Sequence, residues 1–119
     1  LLAHLMVNQG VALSRARNRE AALARYDQAL AAAPQLSAAW YNRGLDLLAL
    51  DRLPEAVASF TRAITLHPND AQAFNNRGIA HLRLGEAEAA RADWMQALEL
   101  APGMKEAEEN LRGLGGTVP

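Results

Sequence analysis

Apolar residues along this chain fall at helical spacing, in short stretches separated by proline. Met6, Gly10 and Leu13 sit at the i, i+4, i+7 spacing of one helix face. Trp40, Gly44 and Leu47 repeat that pattern, and Phe74, Gly78 and His81 repeat it again. Each stretch between prolines divides into two such helices. In the middle stretch the first is predicted over about Ser37 to Leu50, opened by Ser37 as a cap, and the second over about Pro54 to His67. Pro54 suits a first helical turn, where its missing N–H has no partner to lose. Pro68 ends the second helix because it cannot donate the next hydrogen bond and pushes its predecessor out of helical geometry.

The spacing is periodic. Pro34, Pro68 and Pro102 recur every 34 residues, and Gly10, Gly44 and Gly78 keep the same phase. So do Ala22, Ala56 and Ala90, the aromatics Tyr26, Phe60 and Trp94, and Ala29, Ala63 and Ala97. The tripeptide Asn-Arg-Gly is written at Asn42 to Gly44 and again at Asn76 to Gly78. A glycine inside a helix costs about 1 kcal/mol relative to alanine, so close approach of the partner helix must offset it. Ala56 and Ala90 are the expected small surfaces opposite, with the aromatics filling the space toward the next unit. After the third unit, Met104, Ala107, Leu111 and Leu114 form one stripe while most charges of MKEAEENLRGL lie elsewhere. That predicts one amphipathic lid helix, ended by Gly113, Gly115 and Gly116.

Composition supports helices and removes partners. Alanine occurs 26 times and aromatics make up only 5%, which favours closely packed helices throughout. The formal charge of −1 leaves no basic field for nucleic acid or an anionic membrane surface. No apolar run reaches spanning length, so no membrane insertion is expected of a soluble chain. The absence of cysteine removes disulfides and thiolate chemistry but leaves the compartment open, with cytoplasm favoured and periplasm the alternative. The opening LLAHLMVNQG has no basic flank or cleavage site, so it does not read as a targeting segment. The missing initial Met points to a piece of a longer protein. The arginine-rich, lysine-poor, alanine-rich usage has a bacterial character.

Trp40, Gly44, Leu47, Ala56, Phe60, Ala63 and Pro68 resemble the tetratricopeptide repeat signature at its 34-residue spacing. The resemblance covers repeats 3–36, 37–70 and 71–104 and a capping helix at about 104–114, within a single domain over 1–119. Departures are Gln9, Arg43 and Arg77 before the glycines, His81 in place of Tyr, and a turn glycine, Gly85, only in the third copy. The resemblance implies an all-α, right-handed superhelical solenoid of antiparallel helix pairs whose first helices line a concave groove. It also implies a scaffold or adaptor that binds an extended peptide or partner protein.

Helical spacing sorts the groove side of those first helices. The first contributes Val7, Asn8 and Val11, the second Tyr41, Asn42, Leu45 and Leu48, and the third Gln72, Asn75, Asn76, Ile79 and Arg83. Asn8, Asn42 and Asn76 each stand two residues before the registered glycine, so stacking aligns three amides, a pattern similar to the asparagine ladder of some superhelical members of the family. An amide both donates and accepts, as an extended peptide backbone requires. At about 0.5–1.5 kcal/mol net per bond, the ladder supplies only a few kcal/mol against the entropy of association. Val7, Val11, Tyr41, Leu45, Leu48 and Ile79 would have to add apolar contact. The alternative is that the amides bond within the array. Arg43 and Arg77 are expected to be structural, with Asp46 and Asp93 as candidate partners.

Family members resembling the chaperone-tail carboxylate clamp hold a terminal carboxylate with two Lys, two Asn and one Arg. The matching places here carry Val7, Val11, Asn42, Gln72 and Asn76, so only Asn42 fits and that ligand is not expected. No enzyme is predicted. His4, His67 and His81 fall in different units without metal-ligand spacing, no cofactor motif is present, and GLGG precedes no helix. The competing reading is a structural assembly unit that pairs with another copy, or with upstream repeats, through Leu1, Leu2, Leu5 and Met6.

Overall fold

The computed structural model describes residues 1–115 and 118–119. Among the described residues seven helices follow one another: α1 (Leu2–Arg15), α2 (Arg19–Ala32), α3 (Ser37–Ala49), α4 (Leu53–Leu66), α5 (Ala71–Arg83), α6 (Ala87–Leu100) and α7 (Lys105–Gly113). Gly116, one of the glycines expected to end the lid helix, lies outside the described residues.

The helix ends follow local chemistry. Ala33, His67 and Ala101, each just before a registered proline, turn extended at φ −144, −141 and −135°, the geometry a following proline imposes. Pro54 lies in the first turn of α4. Asp70 caps α5, its carboxylate accepting from the Ala73 N–H at 3.1 Å. Ser37 does not cap α3. The flanking residue is Leu36, with no side-chain bond, and Ser37 already belongs to the first turn.

Helices pair as α1 with α2, α3 with α4 and α5 with α6, and each second helix also packs on the next first helix. The odd-numbered helices touch one another in succession, whereas no Cα of α2, α4 or α6 comes within 8 Å of another helix of that set. Helices that converge on one side and diverge on the other form a curved stack, with α1, α3, α5 and α7 along its inner row. The result is an all-α solenoid measuring 44 × 25 × 20 Å.

The registered glycines place the second helices. A Cβ at Gly44 would lie 2.6 Å from Cε1 of Phe60, and one at Gly78 would lie 2.5 Å from Nε1 of Trp94. Each glycine is therefore the seat of its own repeat's aromatic, a closer relationship than the expected glycine–alanine contact. Tyr26, Phe60 and Trp94 are all fully buried. Ala39, Ala73 and Ala107 have no exposure where each first helix meets the preceding unit. Ala107 and Leu111 of α7 close a core cluster built with Trp94, Ala97 and Leu98 of α6, with Met104 and Leu114 packed beside them.

Candidate functional site

The inner row presents a mixed floor. Val7, Val11, Tyr41, Leu45 and Ile79 are half-buried, while Asn8, Gln72 and Arg83 are exposed. Two residues expected on the groove surface are placed differently. Asn75 is only 3% exposed, because α7 covers it, and Leu48 is 9% exposed within the core between α3 and its neighbours.

The asparagines share a register but not a set of partners. The Asn76 amide donates to the Tyr41 phenol oxygen at 3.0 Å, and the Asn110 amide donates to Oδ1 of Asn75 at 3.1 Å. Both bonds span 35 residues, so each amide reaches the residue one place earlier in the preceding first helix. At the same 35-residue offset from Asn42 stands Val7, whose side chain offers no acceptor. Asn42 instead donates to the Ala38 carbonyl of its own helix at 2.9 Å. Asn110 extends the ladder to a fourth rung; its distance from Asn76, one full 34-residue period, was the available signal. The C-terminal amides are thus partly spent on holding helices together, while Asn42 makes no bond to another helix and no protein bond to Asn8 is found among the described residues.

The arginines staple the outer side. Arg77 grips Asp93 through Nε and Nη2 at 2.9 and 2.7 Å and donates to Thr61 of the preceding repeat at 3.2 Å. Arg43 donates to Asp27 of the preceding repeat at 2.8 Å and to the buried Ser59 hydroxyl at 2.7 Å. The expected Asp93 pairing is present, whereas Asp46 is not the partner of Arg43. Asp46 is 2% exposed and accepts from the Ser14 hydroxyl at 2.6 Å, with Arg19 Nε 3.6 Å away. Burial raises its pKa, and the Ser14 bond and Arg19 only partly oppose that. His81 hydrogen-bonds Glu86 at 2.8 Å, as a polar substitute in a packed position.

One hollow opens beside the inner row, of about 250 Å³, lined by Ser37, Ala38 and Tyr41 of α3 and by His67 and Asp70 of the α4–α5 connector. The Tyr41 phenol pKa is raised, first by burial and then by the Asp70 carboxylate, against the lowering effect of the Asn76 bond. Arg83, exposed on α5, donates to the Leu48 carbonyl at 3.4 Å. The arrangement offers apolar contact, unspent amides and one acidic hollow, which are means of holding a chain. No helix among the described residues is long and apolar enough to cross a membrane.

A family model described as "Tetratricopeptide repeat" matches residues 7–70 and 41–105. No curated protein matches significantly. Among solved structures, the chain is similar to the second TPR domain of human RPAP3 in complex with the HSP70 peptide SGPTIEEVD. That match has 27% identity and a TM-score of 0.90, covering 97% of this chain and 99% of that one. It is also similar to the second TPR of Spaghetti (RPAP3) bound to the HSP90 peptide SRMEEVD, at 28% identity and TM-score 0.82, over 85% and 88% of the two chains. The Arabidopsis OM64 TPR domain shares the fold at 24% identity and TM-score 0.93, over 96% and 94%.

Proposed function

This chain belongs to the tetratricopeptide repeat family, and from that premise we propose that it is a protein-interaction module holding an extended peptide or partner segment along its inner row. The observation that carries the reading is the half-buried floor of Val7, Val11, Tyr41, Leu45 and Ile79 with Asn8 and Asn42 beside it. The apolar residues supply contact area and the amides supply main-chain bonds. Two similar domains carry bound chaperone peptides, which supports a peptide ligand as a class. Those peptides are acidic, whereas Val7, Val11, Asn42, Gln72 and Asn76 carry no positive charge, so the same tails are not the proposed ligand. The role is binding and not catalysis.

The test is site-specific photocrosslinking. A photoreactive residue at Asn42 should crosslink one contiguous segment of a partner, and one at Ala92 on the outer helix α6 should not. Crosslinks confined to Ala92 would remove the groove reading.

A second reading, self-association through the N-terminal end, is favoured by one observation. Leu5 is 50% exposed at the repeat position where Ala39, Ala73 and Ala107 are fully buried, and Leu1 and Leu2 beside it are also exposed. Sedimentation velocity across a hundredfold concentration range tests it. A monomer throughout excludes the reading, and a dimer that Leu5→Glu dissociates supports it.

A further inference from the structure

Resting on the groove reading, we propose that the bound segment is an internal, largely apolar stretch carrying a Lys or Arg side chain that enters the hollow between α3 and the α4–α5 connector. The hollow, of about 250 Å³, is large enough for one long side chain and opens beside Tyr41, a member of the inner row. Its only formal charge at neutral pH is Asp70.

The position of Asp70 keeps that charge available. Oδ1 caps α5 through the Ala73 N–H, and no ion pair to the carboxylate is found among the described residues. Its field already reaches the Tyr41 phenol, whose pKa it helps to raise. The Tyr41 oxygen, held by the Asn76 amide at 3.0 Å, and the Ser37 hydroxyl add neutral polar groups.

Two helix starts oppose a cation in the hollow. The uncapped start of α3 lies at its wall and the start of α5 lies behind Asp70, which caps it, and each helix N-terminus contributes roughly half a positive charge. Together they offset about one carboxylate at a distance, so the preference rests on contact: an ammonium bonded to the Asp70 carboxylate lies nearer to it than to either helix end, and Coulomb energy falls with separation. Tyr41 and His67 are the other titratable residues lining the space.

The rest of the floor explains why the flanking ligand residues are apolar. Val7, Val11, Leu45 and Ile79 continue from Tyr41 along α1, α3 and α5 without a charge among them. This preference is opposite in charge to the SGPTIEEVD and SRMEEVD peptides held by similar domains.

The experiment uses three acetylated, amidated, dye-labelled heptapeptides of alternating Ser and Val with a central Lys, norleucine or Glu. Fluorescence anisotropy is read against the intact chain and against its Asp70→Asn variant, in which the helix cap is retained because Asn caps as well as Asp. The Lys peptide is expected to bind about fivefold more tightly than the norleucine peptide, the scale of one solvent-accessible ion pair. Asp70→Asn should erase that difference. Equal Lys and norleucine affinities, tighter Glu binding, or a Lys preference that survives Asp70→Asn would overturn this inference and leave the groove reading standing. Failure of all three peptides to bind would overturn both.

Discussion

Asn76 donates its side-chain amide to the Tyr41 phenol oxygen at 3.0 Å, joining α5 to α3 across the inner row. The same ladder position on α3, Asn42, bonds only within its own helix, and the residue at the matching offset on α1 is Val7, whose side chain has no acceptor. Two asparagines that look equivalent in sequence therefore differ in what they hold.

The difference is measurable by urea unfolding. Tyr41→Phe and Asn76→Ala should each lower stability by about 1 kcal/mol, with the double variant little worse than either single one. Asn42→Ala should fall within about 0.5 kcal/mol of the parent, since it breaks no bond between repeats. A cost for Asn42→Ala equal to that of Asn76→Ala would contradict the difference.

Gly44→Ala puts a methyl group 2.6 Å from the Phe60 ring, and that ring is fully buried and cannot swing away. The helix gains about 1 kcal/mol of propensity, but crowding of a packed core costs about 1–3 kcal/mol, here at the upper end because the overlap is with an aromatic ring. A net loss of about 2 kcal/mol is expected in thermal or urea unfolding. Combining Gly44→Ala with Phe60→Leu should cost less than the two changes summed, because the contact that each disturbs is shared.

Asp46 should make stability depend on pH in an unusual direction. Its folded pKa lies above the ordinary carboxylate value, so the folded protein takes up this proton before the unfolded chain does. The group's contribution is full below the unfolded pKa and is lost as pH rises through the folded one. At pH 7 the buried charge is therefore a cost. Asp46→Asn, which retains an oxygen for the Ser14 hydroxyl, is expected to be more stable than the parent at pH 7. The advantage should shrink as both proteins are unfolded at successively lower pH toward the carboxylate range. An advantage independent of pH would remove ionisation of Asp46 as the cause.

Much of this architecture was legible because its determinants repeat. A glycine, an alanine and an aromatic that keep phase three times mark a repeated helix pair, and the pre-proline residues have little choice but to leave the helix; the contact expected from the pattern is glycine to alanine, however, whereas the glycine's nearest neighbour is the aromatic ring. What was hidden depends on contacts between units. Asn75 looks like a groove residue until α7 lies over it, and Asn110 is hard to see as a ladder member because Leu111 and Arg112 replace the Arg and Gly that follow Asn76. Ser37 has the chemistry of a cap, but α3 starts with Leu36 at its flank, which places the hydroxyl one residue too far in. The hollow at Asp70 arises from a connector passing one helix end, and no pattern within either segment announces it.

The turns inside each helix pair contain a cost that the sequence conceals. Arg17, Asp51 and Gly85 occupy equivalent places, and all three are left-handed, with φ of 63, 59 and 82°. Only Gly85 adopts that geometry without a Cβ penalty, which for other L-residues is about 1–2 kcal/mol. Arg17 is the worse fit, because Asp tolerates the region through local hydrogen bonding and Arg does not. No ion pair to Arg17 is found among the described residues, and its side chain is exposed, so replacing it removes no packed contact. Glycine would remove the strain at the cost of about 0.5–1 kcal/mol of added freedom in the unfolded chain. Arg17→Gly is therefore expected to raise stability by up to about 1 kcal/mol, with Asp51→Gly gaining less. Gly85→Ala should lose about 1 kcal/mol despite open space around its Cβ position. Urea midpoints of the three variants measured together check the ordering. Destabilisation by Arg17→Gly would mean that its side chain contributes more than its backbone strain costs.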